Sequence, residues 1–140
     1  MEKYKFIEDL TSDVMFESYG FTLEELFENS AEALFSVMCE IDEIEAKEKL
    51  VFEFESETIE DALFNFLSTL LAESEIAELF LCKFKVKINE VKGGFEGKVT
   101  ALGESFTKEK GGTLVKGITN YKFKIGLENE KYTATVVCDI

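Results

Sequence analysis

Two stretches of the chain carry apolar residues at helical spacing. Leu23, Leu26, Phe27, Ser30, Ala31, Leu34, Val37 and Met38 fall on one face of a helix. Thr22, followed three residues later by Glu25, is the pattern that satisfies orphan amides at a helix start, so a helix is predicted from Leu23 to about Cys39. Thr58 with Asp61 repeats the cap, and Ile59, Ala62, Leu63, Phe66, Leu67, Leu70 and Leu71 make a second, stronger stripe. Fully burying each large side chain is worth about 1.5–3 kcal/mol, so this second helix is the expected anchor of the core.

Elsewhere the period is two. Val14 to Tyr19 reads as a short strand closed by Gly20, and Leu50 to Glu55 as another. From Phe80 the residues Phe80, Cys82, Phe84, Val86 and Ile88 form the expected core face, with Leu81, Lys83, Lys85, Lys87 and Asn89 facing water. Gly93-Gly94 predicts a hairpin turn into a strand from Phe95 to Glu104, with the small residues Gly97, Ala101 and Gly103 on one face. A loop from Ser105 to Thr113 follows, then strands Leu114 to Asn120, Phe123 to Leu127 and Tyr132 to Asp139, the last two joined by a turn at Glu128 to Lys131. Two early helices and a late run of hairpin-linked strands give an α+β class, a two-layer domain with a mainly antiparallel sheet and both helices on one face. No internal repeat or linker interrupts the 140 residues, which are expected to form a single domain, 1–140.

Composition narrows the chemistry. With 29 acidic against 15 basic residues the net charge is −14, which repels a phosphate backbone and argues against direct nucleic-acid binding. The chain has no His, which removes Ser-His-Asp and Cys-His catalysis and the usual zinc ligand. Cys39, Cys82 and Cys138 are odd in number and set among apolar neighbours, so all three are expected as buried free thiols in a reducing compartment. Neither a signal-peptide pattern at Met1 to Phe6 nor an apolar run of membrane-spanning length is found, so the cytoplasm is the expected location, with no membrane association.

Several candidate sites have plain readings. Lys110-Gly111-Gly112-Thr113 lacks phosphate-loop spacing and reads as a flexible hairpin loop. Lys83, Lys85 and Lys87 read as a solvated face or as guards of a sheet edge. Glu40 to Glu48 lacks the ligand spacing of an EF-hand and reads as a solvated connector with one or two anchoring Ile; Glu73, Glu75 and Glu78 read likewise.

The end of the chain is harder to place. Thr135-Val136-Val137-Cys138-Asp139-Ile140 is strand-like and apolar, yet it closes on an aspartate beside the last residue's carboxylate. An unpaired carboxylate is costly to bury, so Asp139 is in water, paired with a cation, or holding a metal. Asp13 sits at the entrance of another strand, where turn-forming and ligand-binding carboxylates are both common. Asp13, Asp139 and the Ile140 carboxylate together would offer three hard oxygen ligands, suited to calcium or magnesium and not to a soft metal. A metal-dependent hydrolase is disfavoured, because no general base is evident beyond spare glutamates.

The ordered segments Thr11-Ser12-Asp13-Val14 with Tyr19-Gly20, Thr22 to Asn29, Glu60-Asp61-Ala62-Leu63, Gly103-Glu104-Ser105-Phe106, Gly112 to Thr119 and Val136 to Ile140 span nearly the whole chain. In that order the chain resembles the archease family. The resemblance implies a small acidic accessory protein, not an enzyme, that assists an RtcB-type tRNA-splicing RNA ligase by speeding its guanylylation and allowing multiple turnovers. A chaperone-like role toward a tRNA methyltransferase is the alternative it implies. It further implies that Asp13, Asp139 and the Ile140 carboxylate hold a divalent cation, with calcium the expected ion and magnesium or manganese the alternatives, and that Lys116 belongs to the partner-binding surface. Two positions depart from the family pattern: Leu10 stands where a His is usual, and Asn120-Tyr121 where a Tyr-His pair is common.

Overall fold

Both capped helices form where the apolar stripes predict them in a computed structural model that describes residues 2–8 and 13–140. Helix α1 (Leu23–Met38) starts with the Thr22 hydroxyl accepting the Glu25 amide at 3.0 Å, and the Glu25 carboxylate returns to the Phe21 amide at 3.1 Å. Helix α2 (Ile59–Ala77) starts with the Thr58 hydroxyl accepting the Asp61 amide at 3.1 Å, and ends at Glu78, whose left-handed φ of 57° turns the chain. Their apolar faces meet in one core, where Phe27, Leu34, Phe35, Leu63, Phe66 and Leu70 are wholly buried.

The strands, numbered along the chain, are β1 (Tyr4–Ile7), β2 (Asp13–Gly20), β3 (Glu48–Ser56), β4 (Leu79–Val91), β5 (Gly94–Ser105), β6 (Gly117–Glu128) and β7 (Lys131–Asp139). All pair antiparallel, as the α+β reading expects, but in two sheets: a four-stranded β1-β2-β7-β6 and a three-stranded β3-β5-β4. Helix α1 packs on β2 and β4, while α2 packs on β3 and β6, so each helix joins the two sheets through the shared core. Gly97 lacks the side chain that would collide with the Phe54 ring on β3, and Gly103 allows the backbone of Phe80 to approach β5. The α1 carboxylates also close an edge: Glu28 accepts the Val86 amide at 2.9 Å and Glu24 the Ile88 amide at 3.3 Å, both on the outer strand β4.

Several expectations are corrected. Tyr4–Ile7 is a strand, paired with β2, that the period did not single out. The two strands expected at Leu114 to Asn120 and Phe123 to Leu127 are one strand, β6, with a register break between Thr119 and Lys124 and a left-handed Lys122 at φ 54°. A register shift between Leu81 and Lys83 turns Leu81, expected in water, fully into the core. Cys39 and Cys138 are buried free thiols, whereas Cys82 is only half-buried.

The Gly-rich loop is not a flexible hairpin either. Its backbone is stitched to the end of α1 by Glu40 N–H to the Lys110 carbonyl at 2.8 Å, Gly112 N–H to the Met38 carbonyl at 2.8 Å and Thr113 N–H to the Val37 carbonyl at 2.9 Å. Lys110 adds an ion pair to the buried Glu104 at 3.1 Å, and Glu104 also accepts the Glu45 amide. No helix of the described residues is long and apolar enough to cross a membrane.

Candidate functional site

The two aspartates picked out by sequence are 126 positions apart and become neighbours by strand pairing. Alternating apolar residues commit β2 and β7 to the centre of the four-stranded sheet, where Phe16 and Val136 pair and are fully buried. That register carries to the sheet's end and sets Asp13 directly opposite Asp139. On the far side of β7, Gly117 pairs with Asp139, and the Lys116 N–H donates to the Asp139 carbonyl at 2.7 Å. Asp13, Asp139, Ile140 and Lys116 are thus brought to one end of one sheet. Leu10, Thr11 and Ser12, which precede Asp13, lie outside the described residues.

Residues directly opposite on antiparallel strands point to the same face with Cβ atoms about 4.5–5.5 Å apart, and like charges so placed destabilise the pair. Among the described residues no ion pair reaches either carboxylate. Asp13 is half-buried and Asp139 exposed. On the opposite, core-facing side of the same strand ends, Cys138 pairs with Val14 and Ile118. Its thiol is pushed up to about 12, first by burial and then by the negative charge of Asp13. It is therefore held as a neutral thiol and is no candidate nucleophile.

The donor chemistry suits a hard cation. Two opposed carboxylates offer oxygen only. Side chains alone do not make a closed cage: no group of three or more Asp, Glu, Cys or His side chains gathers among the described residues. A cation here would keep open positions for water or for an oxygen of a partner. Position-by-position reading of the sequence missed the Lys116 tie, because it runs through the backbone; the irregular segment from Leu114 to Lys116 that delivers it carries no signal beyond the Gly117 that follows.

Comparison with known proteins gives a consistent picture. Residues 4–140 match the family described as "Archease protein family (MTH1598/TM1083)". The protein archease of Pyrococcus abyssi is 38% identical over 133 residues, covering 93% of this chain and 94% of its own. That of Sulfurisphaera tokodaii is 34% identical over 142 residues and the full length of both. The solution structure of Methanobacterium thermoautotrophicum protein 1598 superposes with a TM-score of 0.89, at 35% identity and with both chains fully covered. The crystal structure of an archease from Thermotoga maritima, described as a possible chaperone, shares the fold at a TM-score of 0.63 and 21% identity, over 94% of this chain and 93% of its own.

Proposed function

The chain belongs to the archease family, and from that premise we propose that it is a non-catalytic accessory protein that activates an RtcB-type tRNA-splicing RNA ligase. In this reading it promotes guanylylation of the ligase and its multiple turnover, by way of a divalent cation, calcium first, held by Asp13, Asp139 and the Ile140 carboxylate. The observation that supports it best is the direct pairing of Asp13 with Asp139 at the end of a rigid sheet. Two central strands hold the carboxylates in place, so little ordering entropy is lost when the site is engaged. The backbone of Lys116 is tied to Asp139, and in this reading the Lys116 side chain meets an acidic or phosphorylated group of the ligase. When bound, the cation would offer open coordination positions to such a group.

The test is ligase–GMP formation from GTP with catalytic amounts of this protein. Wild type is expected to accelerate it, and Asp139→Ala or a few residues added after Ile140 to abolish the acceleration while the protein stays folded. Acceleration by Asp139→Ala equal to that of wild type would rule the site out. A second reading, a chaperone-like binding module for a tRNA methyltransferase, draws on the acidic charge of −14 and on the description of the Thermotoga maritima relative as a possible chaperone. It needs no metal, so suppression of methyltransferase aggregation that survives chelation, with no effect on the ligase, favours it.

A further inference from the structure

The outer face of the three-stranded sheet runs against the charge of the molecule. All 15 basic residues of the chain are lysines, and five of them, Lys49, Lys83, Lys85, Lys87 and Lys98, project from this one face, opposite the side that carries Leu50, Val86 and Val99 into the core. Lys87 stands directly opposite Lys98, and Lys83 and Lys49 flank Leu102 in one row. All five are exposed, and among the described residues none is in an ion pair.

Lysines on an edge strand commonly guard against strand addition. On β4, which carries Lys83, Lys85 and Lys87, that task is already done, because Glu28 and Glu24 occupy the Val86 and Ile88 amides. Nor does edge protection account for Lys98, which lies on the central strand β5.

We propose that this face is a second docking surface, separate from the carboxylate end, and that it takes a short acidic segment of a partner polypeptide. Same-face residues along a strand recur about every 6.6–6.8 Å, the repeat of alternate side chains in an extended peptide, so acidic residues at every second position meet Lys83, Lys85 and Lys87 in turn. The basic ground is short. Glu53 stands opposite Lys98, and in the next row Glu55 pairs with Glu96, which reverses the sign of the face. A polynucleotide would run into these carboxylates within a Debye length of about 8 Å. The lysine rows also carry no aromatic side chain on which bases could stack, and the chain has no Arg to fork a phosphate.

The probe is a fluorescein-labelled peptide of alternating Glu and Ser, read by fluorescence anisotropy at low and physiological salt. Wild type is expected to bind it with an affinity that falls as salt rises. The pair Lys85→Glu/Lys98→Glu is expected to weaken binding by about tenfold or more, and Lys92→Glu, outside the face, to leave it unchanged. Lys85→Gln/Lys98→Gln is the companion pair if charge reversal disturbs melting, with a smaller loss in the same direction. Asp139→Ala is expected to bind the peptide like wild type, which separates this surface from the proposed ligase site. No binding at low salt, equal binding by the lysine variants, tighter binding of a single-stranded RNA of equal charge, or self-association that the same substitutions abolish would each overturn the proposal.

Discussion

Two carboxylate neighbourhoods lie on different sheets and are built on opposite principles. Glu104, at the end of β5, is buried, and it is answered on every side by the Glu45 amide and by the Lys110 ammonium at 3.1 and 3.2 Å from its two oxygens. The Glu45 amide first, and Lys110 next, hold its carboxyl below the usual glutamate value. Asp13 and Asp139 meet each other instead, with no described cation between them. A satisfied carboxylate holds the fold together, and here it fastens the Gly-rich loop to the sheet. An opposed pair of like charge weakens the strand pairing, and under the proposed function a bound cation would relieve it.

The largest expected effect breaks the satisfied side. Glu104→Ala leaves both the Lys110 ammonium and the Glu45 amide without an acceptor, so a clear fall in Tm is expected, well beyond that of the exposed control Glu57→Ala. Ligase stimulation at a temperature where the variant is still folded is expected to persist. Equal melting of the two variants would mean that Glu104 does not fasten the loop.

Next comes the open pair. An ion that binds only the folded state stabilises it by about 2.7 kcal/mol at a concentration a hundredfold above Kd. Calcium is therefore expected to raise the Tm of wild type and of Glu104→Ala, but not of Asp13→Ala or Asp139→Ala. A calcium-induced rise that survives both aspartate substitutions would place the ion elsewhere.

The sequence showed some of this contrast and hid the rest for physical reasons. The helices were legible because a cap and an apolar stripe are local: Thr22 with Glu25, and Thr58 with Asp61, act within three residues. The aspartates were legible as polar residues ending apolar strands, but their opposition depends on a register between distant strands that local period does not encode. The division into two sheets was hidden for the same reason, since each strand's alternation is indifferent to which sheet it joins. Leu81 was misplaced because a single register shift reverses inside and outside. The loop at Lys110 to Thr113 was misjudged because its anchors on α1 are backbone carbonyls, which leave no mark on residue identity.

A pH series sharpens the same comparison with a smaller effect. Glu104 has a folded value below the ordinary 4.5, so its stabilising contribution is fully present above 4.5 and is lost as pH falls through the folded value. Glu28 has the opposite sign. Burial chiefly raises it, and the neighbouring charges of Glu24 and Glu25 add to this against the Val86 amide and Lys85, so its contribution is greatest below 4.5 and is lost as pH rises through the folded value. The Tm advantage of wild type over Glu104→Gln is thus expected to be constant above 4.5 and to shrink in acid, while wild type is expected to gain on Glu28→Gln as pH falls. Parallel Tm profiles for wild type and both variants would contradict the two environments.

The smallest effect reaches the open pair without its ion. If Asp13 and Asp139 repel each other across the strands, Asp139→Asn removes one of the two charges while keeping shape and strand pairing. In the presence of a chelator the variant is therefore expected to melt slightly above wild type, by about 0.2–1 kcal/mol. In calcium the order is expected to reverse, because wild type alone gains the bound ion. The crossing matters more than either difference, since a residue that merely ends a strand would melt in the same order under both conditions. A variant that is less stable than wild type in chelator would show that the Asp139 charge already has a stabilising partner within the fold, and the distinction between the two carboxylate neighbourhoods would fail.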